Sequence, residues 1–330
     1  QQERNGFTFN LREAMSFLAI LEEEQQSLED KAQEMFKPVE IQLKTKIKYI
    51  PFNIASRKQI AERLMELGWK PKKFTDKGSI IVSEEILDTI KLPEAAMFSR
   101  YFLLQKRTGL IKAWIKACQD DSKVRGRVMT LRTITGRMAH NSPNMAQVPA
   151  VYSPYGKECR SLWTITNPDT HVLIGTDASG LELRCLAHYM NDSKFTEEVV
   201  NGDVHTANMK AAGLTDRDQA KTFIYAFLYG AGAAKIGKVV GGSAKEGQKL
   251  ITKFLSNMPK LKKLRDNVIE ASQVGTIRAL DGRLLHIRAD YASLNTLLQG
   301  AGAIICKQWL VDISKRIRDS GLDAKLVASI

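Results

Sequence analysis

The stretch HVLIGTDASGLELRCLAHYM, His171 to Met190, constrains the fold more than any other part of the chain. Its first half is rich in strand-forming residues and stops on Asp177. Ala178-Ser179-Gly180 then turn the chain, and the second half carries the apolar spacing of a helix with Glu182 on its first turn. The unit is therefore read as strand, turn, helix, with a carboxylate at the strand end. Two uses fit that carboxylate. Asp177 and the Ala178 carbonyl can take a hard divalent cation and leave positions for phosphate oxygens. Alternatively, Asp177 caps the helix that follows, which is the commonest role of aspartate in that place.

The rest of the chain has to be built around this unit. At 330 residues it exceeds what one hydrophobic core usually serves, so two or three packed units are expected. Apolar residues at Met15, Leu18, Leu21, Leu28 and Met35 predict an amphipathic helix over residues 11–36. KPVEIQLKTKIKYIPF follows as an irregular or short-strand connection with a basic face. Ser56 caps a helix that closes on Gly68, and helical spacing returns from Pro93 to Cys118. GRVMTLRTITGRMAH is β-rich and studded with arginine, and NSPNMAQVP is loop. Asp281-Gly282 suits a hairpin turn, a helix interrupted at Gly300-Ala301-Gly302 runs from about Ala292 to Arg318, and AKLVASI reads as a terminal strand. Taken together, the pattern is α+β.

Charge narrows the partner. The net charge of +13 favours a polyanion, nucleic acid first, over a protein that is basic only for solubility. No apolar run approaches the roughly 20 residues that cross a bilayer, so no membrane partner is expected and the reading is cytoplasmic. Cys118, Cys159, Cys185 and Cys306 form no Cys-x-x-Cys pair and are read as buried thiols, without disulfide or zinc. The chain opens on Gln1 without an initiator methionine and stops on an apolar run, so both ends are expected to be cuts in a longer protein.

A second constellation lies in TDRDQAKTFIYAFLYGAG. Arg217, Lys221, Tyr225 and Tyr229 recur every four residues and form one slowly drifting stripe on a helix. Cations neutralise phosphates and rings stack on bases, so the stripe suits a nucleoside triphosphate. The alternative is a surface helix with solvated charges and half-buried tyrosines, although Phe223, Ile224 and Leu228 already supply a packing face. GAAKIGK has the spacing of a phosphate loop but carries Val239 where a serine or threonine is required, and it is set aside. Gly230-Ala231-Gly232 ends the helix.

Four blocks in order resemble family A, Pol I-like, DNA polymerases, particularly the phage replicative branch. DASGLELRCLAHYM looks like motif A and RDQAKTFIYAFLYGAG like motif B, while TITGRMAHNSPNMAQVP and LNTLLQGAGAIICK resemble the Thr-Gly-Arg region and the late Gln-x-x-Gly-Ala helix. The resemblance implies a right-hand polymerase fold. Residues 1–118 would be a helical thumb, 119–197 the first part of an antiparallel palm, 198–285 helical fingers, and 286–330 the second part of the palm. It implies two Mg²⁺ ions at Asp177, one also held by the Ala178 carbonyl. Arg217, Lys221 and His205 would meet the triphosphate of a dNTP, Tyr225 its sugar, and Glu182 would exclude a ribose 2′-OH. Tyr229 would hold the template base stack. Arg137 and Gln299, with Asn144 and Gln147, would contact primer-template DNA.

Three departures accompany the resemblance. Ala226 stands where this branch usually has glycine. Residues 36–52 are short where some phage relatives carry a thumb insertion, so the reading gives no support to a thioredoxin-type processivity factor. Motif C, a His-Asp-Glu hairpin supplying the second metal carboxylate, is missing: after Gly302 the aspartates are Asp312, Asp319 and Asp323. The expectation is a DNA polymerase fragment that binds primer-template DNA without extending it, with a separate segment carrying that hairpin as the implied partner. An infected bacterial cell is the expected location if the source is viral. A non-catalytic part of a split polymerase and a single-subunit RNA polymerase are the competing readings, and Glu182 with Tyr225 argues against the second.

Overall fold

The computed structural model describes residues 1–42 and 44–329. The chain divides into two compact units, the first made of Gln1–Arg127, His140–Leu173 and Val327–Ile330, the second of Val128–Ala139 and Ile174–Leu326. Both are mainly helical, with short antiparallel strands, so the α+β reading holds.

In the first unit two helices of 25 residues, Leu11–Met35 and Pro93–Ala117, pack on each other. Asn10 starts the former by accepting from the Glu13 amide at 3.1 Å. Its buried face is Ala14, Phe17, Leu21 and Ala32. The expected stripe is thus partly corrected: Met15 lies one residue, about 100°, off that face and is 58% exposed, and Met35 in the last turn is 50% exposed. Ser56 caps Arg57–Glu66, and Gly68 at φ 93° ends it as expected. The basic connection is a hairpin, Val39–Gln42 antiparallel to Ile47–Ile50. A small sheet orders Lys123–Val124, Phe7–Phe9 and Trp163–Thr164, with Phe9 and the fully buried Trp114 beneath it.

The second unit is built on Leu181–Met190, Arg217–Leu228, Ala244–Asn257 and Ser293–Ser320. Leu183, Leu186, Phe223, Ile224, Phe254 and Leu298 form its core, with Phe223 edge-on to Phe254 at 5.1 Å. The hairpin Thr276–Arg278 with Leu284–His286 turns through Asp281-Gly282, and Gly282 has φ 87°.

Several expectations are corrected. Ser293–Ser320 is uninterrupted. Its glycines serve close packing instead: a Cβ on Gly300 would lie 2.6 Å from Leu285 Cδ1, and one on Gly302 3.2 Å from Leu181 Cδ2. Residues 171–177 form no strand, and Val172, Leu173 and Ile174 are 78%, 54% and 78% exposed. Strand propensity needs a neighbouring ladder, and none pairs with them among the described residues. Residues 324–329 likewise form no strand, while Ile330 lies outside the described residues. GRVMTLRTITGRMAH keeps strand only at Arg127–Met129 and Ala139–Asn141, its middle being turns. Of the four free cysteines, Cys159 and Cys185 are buried but Cys118 and Cys306 only half-buried. Among the described residues no helix is long and apolar enough to cross a membrane.

Candidate functional site

Asp216 starts the central helix by accepting from the Asp218 and Gln219 amides at 2.7 and 3.2 Å. Ala220, Phe223, Ile224, Phe227 and Leu228 bury one face of Arg217–Leu228 in the core of the second unit. The positions that flank this buried face carry the remaining residues outward. Arg217 and Lys221 are exposed and Tyr225 is half-buried, with Tyr229 just past the last turn. The surface-helix alternative describes this burial too, but the stripe is not isolated.

At its C-terminal end the Tyr225 and Tyr229 rings stack at 6.3 Å and 29°. The Tyr229 hydroxyl donates to Glu182 Oε1 at 3.4 Å, and Arg137 Nη2 donates to the same oxygen at 2.7 Å. Glu182 is thereby held on the first turn of Leu181–Met190 by one cation and one hydroxyl. Burial first, then the Glu182 charge, pushes both tyrosines above the ordinary phenol range.

At its N-terminal end Arg217 is engaged. Its Nε and Nη2 donate to the two oxygens of Asp203 at 2.8 and 3.0 Å. Asp203 also caps Val204–Ala212, accepting from the His205 and Thr206 amides at 3.1 and 3.3 Å and from Thr206 Oγ1 at 2.7 Å. Arg217 first, then Thr206, holds the Asp203 carboxyl well below the usual carboxylate range. The sequence reading missed Asp203, although the signal was present: an aspartate two residues before His205, at the start of a helix. The His205 ring lies 6.1 Å from Tyr225, and its Nδ1 is buried without a hydrogen-bond partner among the described residues. Burial, then Arg217 and Lys221, pushes its pKa down. Lys221 makes no ion pair among the described residues.

Asp177 does not cap the next helix, because Gly180 at φ 60° occupies that position. The cap reading is therefore withdrawn. Asp177 is exposed and makes no hydrogen bond or ion pair among the described residues. Its charge acts on the Cys306 thiol, as do those of Arg137 and Glu182, although burial is what chiefly pushes that thiol up. Gln299 is half-buried on Ser293–Ser320. Asn144 and Gln147 belong to the first unit, where Asn144 accepts from the Ala146 amide at 3.0 Å and Gln147 is exposed.

An unengaged carboxylate beside a backbone carbonyl is the hard-oxygen donor set that Mg²⁺ prefers, so Asp177 and Ala178 fit one side of a divalent site. They do not complete it. Glu182 is committed to Arg137, Asp312 and Asp319 lie along Ser293–Ser320, and Asp323 faces Lys325 at 3.7 Å. No group of three or more His, Cys, Asp or Glu among the described residues is placed to hold a metal ion.

Comparison with known proteins bears on this geometry. Residues 20–330 match the family model for DNA polymerase family A. The chain is 42% identical over 312 residues to the DNA-directed DNA polymerase of Enterobacteria phage T3, covering 84% of this chain and 44% of that protein. For the DNA-directed DNA polymerase of Escherichia phage T7 the identity is 41%, with the same coverage. DNA polymerase I of Bacillus subtilis (strain 168) is 27% identical over 308 residues, covering 85% of this chain and 34% of that protein. The chain therefore spans less than half the length of these curated relatives. Among solved structures, the POL domain of Pol1 from M. smegmatis in complex with DNA primer-template and dNTP superposes with a TM-score of 0.83 at 17% identity, covering 99% of this chain and 60% of that one. The fold is that of a polymerase domain.

Proposed function

The chain belongs to DNA polymerase family A, and from that premise we propose that it supplies part of the machinery for template-directed transfer of a nucleotide from dNTP to a primer 3′-OH. One observation carries the reading. The exposed face of Arg217–Leu228 begins with two cations and ends with two stacked rings, while its other face is locked in a core. A triphosphate and a base have complementary requirements along the same line.

In this reading Lys221, Arg217 and His205 meet the phosphates. Tyr225 lies against the sugar, and Tyr229 takes the adjoining template stack. Glu182 excludes a 2′-OH, and its bonds to Arg137 and Tyr229 make it a fixed wall that cannot swing aside without losing both. Arg137 and Gln299, and in the first unit Asn144 and Gln147, contact the duplex, where minor-groove acceptors are present at every base pair. The assignment of residues 1–118 to a thumb, 119–197 and 286–330 to a palm and 198–285 to fingers is part of the same proposal.

Asp177 and the Ala178 carbonyl would hold Mg²⁺. When bound, such ions neutralise charge on the reacting phosphate and lower the pKa of an attacking hydroxyl. Two ions beside a polyanionic substrate need more carboxylate than Asp177 supplies, so a segment carrying the His-Asp-Glu hairpin is the proposed partner. Action in an infected bacterial cell belongs to the proposal as well, on the strength of the two phage relatives.

The test is a primer-template binding and extension series on the 330-residue chain. Binding should be tight at low salt and fall steeply as salt rises. Extension with Mg²⁺ should be absent for the chain alone and appear when the hairpin segment is added. No binding at low salt, or no extension after addition, would overturn the reading.

A further inference from the structure

We infer that Asp203 is a built-in competitor for phosphate: it occupies the guanidinium fork of Arg217, so a polyphosphate binds this helix face only by displacing it. The inference rests on the proposed nucleotide reading and deepens it, by naming a residue that sets how strongly the site holds an anion.

The geometry points to competition more than to simple bracing. The Nε and Nη2 hydrogens that Arg217 gives to Asp203, at 2.8 and 3.0 Å, are the pair a phosphate would take in the same bidentate manner. The carboxylate cannot drift away when challenged, because two backbone amides and the Thr206 hydroxyl fix it at the start of Val204–Ala212. Arg217, in contrast, sits at the first position of its helix with its side chain half exposed, and it is the partner free to turn. One turn further on, Lys221 has no acidic partner among the described residues. A ligand that first meets Lys221 then gains Arg217 only by exchanging one anion for another. A single phosphate satisfied by Lys221 has little to gain from that exchange, whereas a chain of phosphates can hold both cations.

The capping task of Asp203 does not need its charge, since asparagine caps a helix about as well as aspartate. The pairing with Arg217 does need it. Asp203→Asn therefore separates the two roles. In the full 330-residue chain, with inorganic triphosphate and then a dNTP as probes at low salt, the variant should bind each probe about two- to fivefold more tightly, the scale of an exposed ion pair. Asp203→Ser, which also keeps a cap, should do the same. In an Arg217→Ala background the gain should vanish, because the competition runs through that side chain. Damage to the fold would weaken binding, so tightening is a result that a merely structural role cannot produce.

Unchanged or weaker binding by both variants, or tightening that persists without Arg217, would overturn the inference. Failure of the underlying reading gives a different result: triphosphate affinity of the unmodified chain would then be indifferent to Lys221→Ala.

Discussion

Replacing Lys221 by alanine tests the cationic stripe most cleanly, because among the described residues Lys221 holds no ion pair and acts only through its charge on His205. Its side chain is exposed and makes no ion pair among the described residues, while the buried face of its helix consists of other residues. Alanine is the best helix former, so folding stability should stay within about 0.5 kcal/mol. A hydrogen bond from a charged group to phosphate contributes about 1.5–3 kcal/mol. At one decade per 1.4 kcal/mol, dNTP affinity should fall about 10- to 150-fold. Arg217→Ala should cost less, since Arg217 must first give up Asp203. The assay is dNTP titration into a complex of the chain with primer-template, followed by fluorescence of a labelled primer, with DNA affinity measured in parallel. DNA affinity should change by less than about twofold, for one phosphate contact is small against the whole electrostatic footprint. Unchanged dNTP affinity, or equal losses for dNTP and DNA, would refute the stripe.

Tyr225→Phe removes a hydroxyl that, by resemblance, fills the space of a nucleotide 3′-OH; the complete enzyme should then discriminate better against dideoxynucleotides, and equal termination by both forms would refute that role. Gly247→Ala should destabilise the second unit by about 1–3 kcal/mol despite the gain in helix propensity. The added Cβ would lie 2.0 Å from the Ala233 carbonyl oxygen and 2.5 Å from the Gly237 amide nitrogen, and backbone cannot step aside; an unchanged urea midpoint would contradict this. The His205 pKa is pushed down from 6.5 by burial and by Arg217 and Lys221, so as pH falls through that value the unfolded chain takes up its proton first. Stability therefore rises with pH between the depressed folded value and 6.5 and is level in this respect on either side, and His205→Gln should flatten the slope of urea midpoints taken between about pH 5 and 7.

The parts of the fold that could be read in advance are those set by neighbours in sequence. Ser56 and Gly68 bracket a helix, and Asp281-Gly282 turns a hairpin, because capping and turn geometry are satisfied within a few residues. The run from Val172 to Ile174 failed for the opposite reason. Its residues favour a strand, but a strand is stabilised by the ladder beside it, and here the apolar side chains stand exposed. Gly300 and Gly302 misled in another way. Each costs about 1 kcal/mol of helix propensity and so reads as a break, yet Leu285 and Leu181 fill the space that a Cβ would take and return that cost through packing.

The candidate site divides along the same line. A four-residue spacing projects Arg217, Lys221, Tyr225 and Tyr229 onto one face whatever surrounds the helix, so the stripe was legible. What each charge faces was not, because Arg137 meets Glu182 across 45 residues of sequence and Arg217 meets Asp203 across 14. From the sequence, an excess of cations suggested open positive groups waiting for a polyanion. At the candidate site Arg137 and Arg217 instead rest on the chain's own carboxylates. For such a site, binding is an exchange of anions and not the filling of an open positive surface. An added salt screens the exposed internal pairs as well as the pairs with a ligand, so the salt dependence of nucleotide binding at Arg217 should be shallower than that at Lys221, where no internal pair has to be broken.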